Sequence, residues 1–496
     1  MSITQNDGQA YPYPSRRTAT YAKTGMVATS QPLAAEAGLS ILKAGGNAVD
    51  AAVATAAAAV VVEPCCNGLG GDAFALVWMK DALHGLNASS FAPAALTPDL
   101  IKAMGHHNNM PVHGWLPVTV PGIPSAWATL HKRWGQLSFT EVLAPAIRLA
   151  EQGFPVSPTI SGLWQQGAKQ MDRVLSAATI DPQIKKNWFD TFTINGQAPK
   201  AGQLFSMPDH AKSLKSIAAT HAESFYRGEL AHQIAAFSQT TGGVLTLDDL
   251  ARYHAEWVEP ISVHYRGYDI WQMPPNGQGL VVLMALNILK QYQFDKRDSI
   301  DTLHKQIEAM KLAFIDGKAF ITQSDCMPYT VDELLAETYA DSRRRLIGEQ
   351  ALQPLPGAPP KGGTVYLAAA DSKGNMVSYI QSNYNGFGSG VVIPGTGIAM
   401  QNRGADFSLN AEHPNYLQPN KKTFHTIIPG FITKGASALG ALGVMGEYMQ
   451  PQGQVQVLTN MIDFGMNPQA ALDAPRWQWL GDKAVGLEPE FGSEII

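Results

Sequence analysis

The sequence predicts an α+β fold in which antiparallel sheets are covered by helices. Segments with strand composition and segments with helical composition alternate in blocks along the 496 residues, rather than in strict β-α-β units. The hydrophobic content of 45% allows a large core, and no repeat of the solenoid type is present. A Pro- and Gly-rich stretch, "LQPLPGAPPKGG" at residues 352–363, separates a helix-rich part from a strand-rich part.

The first elements carry clear start and stop signals. Residues 25–30 are typical of a strand, and Pro32 suits the first turn of a helix that the glycine pair at 45–46 ends. Asn47 and Asp50 have the spacing of a capping box. The helix that they begin is apolar on nearly every side, so we expect it to be buried.

The middle of the chain continues the alternation of helices and strands. We predict a glycine-rich turn leading into a strand at residues 67–79, and two helices at 121–154, with Ser138 capping the second. Further helix is predicted around residues 210–239, followed by a strand–turn segment at 261–279 and by helices up to about residue 350.

The part that follows the linker is rich in strand signals. Two β-prone runs flank the turn residues "DSKGN" at 371–375, which predicts a hairpin with Thr364 at the head of its first strand. We predict strands at 365–370, 376–382, 397–401, 425–433 and 437–444, and a final helix that starts near Val455.

Composition excludes several classes of partner. The net charge is −5 and no Lys/Arg-rich block is present, so we expect neither nucleic acid nor an anionic membrane surface as a partner. The N-terminus is polar, and the apolar run at residues 51–62 is shorter than the ~20 residues of a membrane-spanning helix. These features predict a soluble, cytoplasmic protein.

The cysteines do not predict a disulfide framework or a metal site. The chain has three cysteines, Cys65, Cys66 and Cys326, which are too few for a disulfide scaffold in a chain of this length. The adjacent pair lacks the ligand spacing of a zinc site. We therefore expect no metal and no organic cofactor.

Five segments, in order along the chain, resemble the γ-glutamyltranspeptidase family. They are "LKAGGNAVDAAVATAAAAVVVEPCCNGLGGDAFALVW", "TVPGIPSAW", "FYRGELA", "MPPNGQG" and the hairpin from Thr364. The resemblance covers roughly residues 23–491. Further strings, such as "FHTIIPG", are similar to the non-secreted, γ-glutamyltranspeptidase-like branch.

The resemblance implies an N-terminal nucleophile hydrolase with a four-layer αββα sandwich of two stacked antiparallel sheets. It also implies that a precursor cuts itself between Gly363 and Thr364. The products would be a large fragment, residues 1–363, and a small fragment, residues 364–496, which stay associated. The resemblance is also compatible with a homo-oligomer. The substrate would be a small-molecule amide, with water or an amine as the acceptor.

Thr364 therefore has two interpretations. As a β-branched residue it suits the start of a strand, and without the resemblance that interpretation is favoured. With the resemblance, it is the nucleophile, and its own α-amine, freed by cleavage, is the base. An α-amine with a pKa near ~7.7–8.0 is well matched to that role. Glycines at 362 and 363 would allow the hydroxyl to reach the Gly363 carbonyl during self-cleavage.

The resemblance assigns further catalytic roles. Ser382 falls where the family has a hydroxyl residue beside the nucleophile, with an ordinary strand serine as the alternative. Gly446 and Glu447 fall where the family has a Gly-Gly pair whose backbone N–H groups form the oxyanion hole. Glu447 replaces the second glycine, and a carboxylate beside a developing oxyanion is unfavourable unless it points away.

Substrate-binding roles are implied for five residues: Arg403, Asp406, His425, Thr426 and Tyr384. Asp406 matches the acidic residue that holds the α-amino group of the substrate, with a turn residue as the alternative. Arg403 stands where glutamine is usual, and its guanidinium could bind a carboxylate in a bidentate manner. His425 and Thr426 replace a serine pair, and a satisfied core histidine is the alternative for His425. Tyr384 stands where the transpeptidases proper have an asparagine.

Two departures from the family concern specificity and the end of the chain. The family carries an arginine just before the Ala-Pro pair of "LNASSFAPAALT", where this chain has Ser-Ser-Phe at 89–91. Unless Arg403 compensates, we expect weak binding of γ-glutamyl groups. Family members usually continue beyond "LEPEFGSEII" with further strands, so a shorter sandwich with an exposed edge is expected.

Three functions follow from these features. The first is a self-cleaving γ-glutamyl transferase or hydrolase that acts on γ-glutamyl, glutathione-like or related amides through an acyl-enzyme. The second is an acylase acting on another N-acyl amide, which Phe91 and the missing arginine favour. The third is an uncleaved, non-catalytic relative that acts as a binding or assembly protein, which Glu447 and the expected short C-terminal part favour.

Overall fold

The structure, a computed structural model, describes residues 12–14, 17–353 and 364–496. Its layers run helices, sheet, sheet, helices, which confirms the four-layer αββα sandwich. The predicted cleavage residue Gly363 and most of the 352–363 linker lie outside the described residues.

Strands and helices alternate in blocks along the described residues. The strands, in chain order, are β1 Gly25–Thr29, β2 Asp72–Met79, β3 Ala82–Ala88, β4 Phe154–Pro155, β5 Leu204–Phe205, β6 Glu256–Val258, β7 Ile261–Tyr265, β8 Tyr268–Gln272, β9 Val365–Asp371, β10 Met376–Ser382, β11 Gly430–Lys434, β12 Ser437–Leu442, β13 Trp477–Gly481 and β14 Ala484–Leu487. The helices are α1 Pro32–Lys43, α2 Ala48–Val62, α3 Pro98–Ala103, α4 Ile123–Trp134, α5 Phe139–Gln152, α6 Pro158–Val174, α7 Pro182–Phe192, α8 Pro208–Thr220, α9 Glu223–Tyr226, α10 Glu229–Thr240, α11 Leu247–Ala251, α12 Gly279–Leu289, α13 Ile300–Phe320, α14 Val331–Leu334, α15 Glu337–Arg344, α16 Met449–Ile462 and α17 Pro468–Asp473.

Both large sheets combine strands from the two sides of the linker. The first sheet has the order β1-β9-β10-β2-β3-β6, and every neighbouring pair in it is antiparallel. The second has the order β12-β11-β8-β7 and is also antiparallel. The predicted large and small fragments therefore share each sheet and do not form separate folding units.

The alternation of side chains along β2 shows how the sheets and helices stack. Phe74, Leu76 and Trp78 point into an apolar layer between the two sheets, where the Trp78 ring stacks on Phe431 from β11 at 6.0 Å. The residues between them point to the opposite face and pack in the helical core. Because both faces are covered, every residue of β2 is buried.

Helix α2 is the centre of the first helical layer, and its burial confirms the prediction. The side chain of Asn47 accepts hydrogen bonds from two backbone N–H groups, and Asp50 accepts one from Asn47 in return, which completes the capping box. All fifteen residues of α2 are buried. Its small side chains allow close neighbours, because a Cβ at Gly38 of α1 would lie 2.1 Å from the Thr55 hydroxyl.

The second helical layer packs on the outer face of the second sheet. Helix α12 is buried along its whole length, and its apolar side chains pack with those of β7, β8, α13 and α16. Burial in this layer accounts for its apolar sequence. No helix in the described parts of the chain is both long enough and apolar enough to cross a membrane.

Three sequence predictions in the last part of the chain are wrong in detail. Residues 397–401 form no strand, because only Ala399 and Met400 form isolated bridges and their partners lie in separate loops. The strand predicted from 425 begins only at Gly430, directly after Pro429, whose nitrogen has no hydrogen to donate. Helix α16 begins at Met449 rather than near Val455, and is followed by α17 and the β13–β14 hairpin. Pro451 is tolerated there because the N–H groups of a first helical turn need no intrahelical partner.

We predict that Asp50→Ala lowers the free energy of unfolding by about 3 kcal/mol. The buried Asp50 carboxylate accepts from the Asn47 N–H and from the N–H groups of Gln136 and Leu137, which connect α4 to α5. Without it, these donors lose their acceptor. Urea unfolding measures the change, with Ser138→Ala, which removes an exposed helix cap, as a control that costs about 1 kcal/mol. Equal midpoints for the two variants would contradict this prediction.

Candidate active site

Thr364 lies at the head of β9, where the strand ladder places it beside Ser382. Val365 pairs with Gln381 in the register of β9 and β10, so the next residues, Thr364 and Ser382, are neighbours at the end of the hairpin. The two hydroxyl oxygens are 3.4 Å apart, and the Tyr384 N–H donates to the Ser382 hydroxyl at 2.8 Å. Thr364 is therefore held beside a second hydroxyl, as the resemblance implies.

A cavity of about 690 Å³ borders Thr364. Gly446 and Met445 form a wall beside it, and α6 and the end of α2 form others. Among the described residues that line the cavity, Glu63 is the one acidic side chain and none is basic. Most of the lining is apolar, hydroxyl or amide in character, so the cavity suits an amide substrate better than a strongly charged one.

The predicted oxyanion pair lies beside this cavity. Gly446 borders the cavity together with Thr364, whereas Glu447 does not line it. Both residues have left-handed backbone conformations, with φ of 111° at Gly446 and 48° at Glu447. A left-handed glutamate is uncommon, and such conformations concentrate at functional sites. The oxyanion role of the two N–H groups stays a prediction.

The Glu447 carboxyl is uncharged at neutral pH. The residue is 1% exposed, and burial, followed by the negative charge of Asp406, raises the pKa of Glu447 to about 9, with Arg403 opposing the shift. A protonated carboxyl places no negative charge beside a developing oxyanion. The raised pKa of Glu447 therefore favours the form that does not conflict with an oxyanion at this position.

Four predicted binding residues form one closed, buried cluster. The Arg403 Nη1 donates to Asp406 Oδ2 at 2.8 Å and to the Thr426 hydroxyl at 3.0 Å. The Tyr384 ring lies under the guanidinium, 3.9 Å from it, and the Tyr384 hydroxyl donates to Asp406 Oδ1 at 2.7 Å. Tyr448, which the sequence did not single out, donates to the same oxygen at 3.2 Å.

The cluster engages both oxygens of Asp406. One cation and two phenols bind this carboxylate, and burial, followed by the Asp406 charge, raises the pKa of both Tyr384 and Tyr448, so that both remain donors. The α-amino group of a substrate would have to displace one of these partners. None of the cluster residues lines the cavity at Thr364.

His425 is a core histidine with both ring nitrogens hydrogen-bonded, which is the predicted alternative to a substrate contact. It is fully buried, its Nε2 donates to Asp72 Oδ2 at 2.9 Å, and its Nδ1 accepts from the Ile427 N–H at 3.3 Å. Burial, followed by the charge of Arg403, lowers the pKa of His425 to about 4. A neutral, internally satisfied imidazole has no free nitrogen for a substrate.

Asp72 is the main site residue that sequence reasoning missed. It begins β2 directly opposite Ser382 and also accepts hydrogen bonds from Gln401, at 2.9 Å, and from Ser90. Ser90 belongs to the segment where the family's arginine is expected, so this segment is bonded to a buried carboxylate. The sequence signal that could have identified Asp72 is its position as an acidic residue at the head of an otherwise apolar strand.

Comparisons with known proteins identify the relatives of the chain. The family described as Gamma-glutamyltranspeptidase matches residues 34–496. A crystal structure of cephalosporin acylase from Bacillus halodurans has a TM-score of 0.94 and 58% identity, and the match covers 99% of this chain and 90% of that one. The Glutathione hydrolase-like YwrD proenzyme of Bacillus subtilis is 38% identical over 94% of this chain and 87% of its own. The Oxamate amidohydrolase proenzyme of Klebsiella pneumoniae is 34% identical over 91% of this chain and 84% of its own.

We predict that Glu447→Gln becomes more stable relative to the wild type as pH rises from 4.5 to 9. Across this window the folded wild type holds a proton on Glu447 that the unfolded chain releases, so its stability falls as pH rises. Glutamine has no such proton. Urea midpoints near the two ends of the window measure the difference, and Glu349→Gln, which removes an exposed carboxyl, is the control. A constant difference between Glu447→Gln and wild type would show that the buried carboxyl is ionised.

Proposed function

Because the chain belongs to the γ-glutamyltranspeptidase family, we propose that it is a self-cleaving amidohydrolase with the Thr364 hydroxyl as its nucleophile. The observation that carries this proposal is the cavity that Thr364 and Gly446 both border. An amide carbonyl in that cavity can meet a hydroxyl nucleophile and a glycine backbone together. The proenzyme names of similar proteins support a cleavage step.

The proposed mechanism couples maturation to activity. Cleavage of the bond before Thr364 supplies the α-amine, which takes the hydroxyl proton as the oxygen attacks the amide carbonyl. The amine leaving group departs with that proton, and the acyl group remains on Thr364 as an ester. Water then releases the acyl group as an acid. Ser382, fixed by the Tyr384 N–H, orients the nucleophile throughout.

The structure favours the second predicted function, hydrolysis of an N-acyl amide other than a γ-glutamyl amide. A γ-glutamyl group carries an ammonium and a carboxylate on one carbon, and each needs a charged or hydrogen-bonding partner. No described residue that lines the cavity is basic, and Asp406 is occupied by Arg403, Tyr384 and Tyr448. The acylase name of a protein that is 58% identical supports the same substrate class.

The γ-glutamyl function stays a second candidate for one reason. A relative with 38% identity bears the name glutathione hydrolase-like. To bind a γ-glutamyl carboxylate, Arg403 would have to turn from Asp406 toward the cavity. Such a turn would break a buried ion pair in which the arginine is 1% exposed, at a cost of about 3–5 kcal/mol if no substrate group replaces it.

We predict that the purified protein consists of two fragments that meet between residues 363 and 364. Intact mass spectrometry measures this directly. Thr364→Ala removes the hydroxyl and should leave one uncut chain, whereas Thr364→Ser retains a hydroxyl and should still be cut. A wild-type protein that stays uncut, like Thr364→Ala, would exclude the nucleophile role and favour the non-catalytic, binding alternative.

We predict that simple acyl anilides have higher kcat/KM than γ-glutamyl anilides. Three anilides that differ only in the acyl group separate the causes: γ-glutamyl, glutaryl, which lacks the α-amine, and an alkanoyl of equal length. The rate of aniline release is the measurement, with Thr364→Ala as the blank. Efficient γ-glutamyl turnover that Arg403→Ala leaves unchanged would contradict the idea that Arg403 must turn toward the cavity to bind the carboxylate.

A further inference from the structure

Two adjacent cysteines lie on the wall of the cavity that Thr364 borders. Cys65 and Cys66 follow the end of α2, and their sulfur atoms are 3.7 Å apart. They are 4% and 7% exposed, and both line the cavity. The proposed mechanism uses neither of them. Cys326, the third cysteine of the chain, does not line this cavity.

The backbone fixes the position of the pair. The Cys66 N–H donates to the Glu63 carbonyl at 3.2 Å, and the Asn67 side chain donates to the same carbonyl at 2.9 Å. On the other side, the Asn383 N–H donates to the Cys66 carbonyl at 3.3 Å. The two thiols are therefore held between the end of α2 and the residue that follows Ser382, on the wall of the cavity that Thr364 also borders.

The spacing of the sulfur atoms suits one bridging atom. A direct disulfide needs a separation of about 2.05 Å, so the two thiols are not bonded. An atom that forms bonds of about 2.3 Å to each sulfur, as zinc does to thiolates, can span separations up to about 4.6 Å. The observed 3.7 Å falls within that reach.

The protonation of Cys66 favours one class of reagent. The Cys65 thiol, burial and the nearby Glu63 together raise the pKa of Cys66, so it is a thiol at neutral pH. Alkylation and disulfide exchange both need a thiolate and should be slow at Cys66. A reagent whose own oxygen takes up both thiol protons depends less on a free thiolate than alkylation or disulfide exchange does.

We propose that Cys65 and Cys66 form a dithiol site for trivalent arsenoxides, and that the bound ligand blocks the cavity at Thr364. The arsenic–oxygen bond breaks and two arsenic–sulfur bonds form. Both thiol protons leave with the oxygen as one molecule of water. Arsenic stays trivalent, so no oxidant or reductant takes part. The organic group on arsenic would extend into the cavity.

Phenylarsine oxide tests the proposal, and intact mass spectrometry provides a readout that does not depend on catalysis. We expect one adduct per wild-type chain, with the mass of the reagent minus one water. Cys326→Ser should form the same adduct, whereas Cys65→Ser and Cys66→Ser should lose it. An adduct that disappears in Cys326→Ser and persists in the other two would overturn the assignment.

The effect on the cavity is tested separately, by comparing each variant with its own untreated sample. We expect the reagent to abolish hydrolysis by the wild type and by Cys326→Ser, and 2,3-dimercaptopropanol to restore it. Full activity of a wild type that carries the adduct would overturn the blocking role. If Cys65→Ser and Cys66→Ser do not fold, peptide mapping of the wild-type adduct decides the question, because the bridge must lie on residues 65 and 66.

Discussion

The candidate site depends on the insertion of one hairpin into the middle of a sheet. Strands β9 and β10 lie between β1 and β2, so backbone hydrogen bonds hold the hairpin on both sides. Thr364, Ser382 and Asp72 then occupy the same end of three adjacent strands. The position of Thr364 is set by the ladder, which is far stiffer than a loop.

The interior beside this hairpin holds a cluster of buried ionisable groups. Arg403 forms an ion pair with Asp406, and Lys318, whose ammonium lies 4.3 Å from the centre of the Tyr448 ring, also interacts with the Asp406 charge. Burial and the negative charge of Asp406 both disfavour a second ionised carboxylate at Glu447 in this region of low dielectric. The ion pair of Arg403 with Asp406 is closed, so a charged substrate group would have to compete with it.

Local signals in the sequence predicted local structure well. The cap and the burial of α2 follow from Asn47, Asp50 and the run of alanine and valine, all within one helix. The β9–β10 hairpin follows from its turn, where Asp371 accepts from the N–H groups of Lys373 and Asn375. Such features need no knowledge of distant segments.

Features built from distant segments could not be predicted in this way. Asp72 is bonded to Ser90, Gln401 and His425, which come from separate parts of the chain. The strand predicted at 397–401 failed for the same reason, because strand composition does not guarantee a pairing partner. The choice between nucleophile and ordinary strand residue at Thr364 rested on the family resemblance, since one threonine carries no pattern of its own.

The sharing of sheets between the two parts of the chain has a consequence for the lifetime of a cut protein. Before cleavage, unfolding and refolding are unimolecular, and β9 returns to its place within one chain. After cleavage before Thr364, unfolding releases two separate polypeptides, and refolding requires their encounter in dilute solution. The second polypeptide must also enter between β1 and β2, whose edges facing the hairpin would otherwise be unpaired. The cleaved protein would therefore be protected by the activation barrier to unfolding rather than by the folding equilibrium. Its lifetime would be governed by its rate of unfolding.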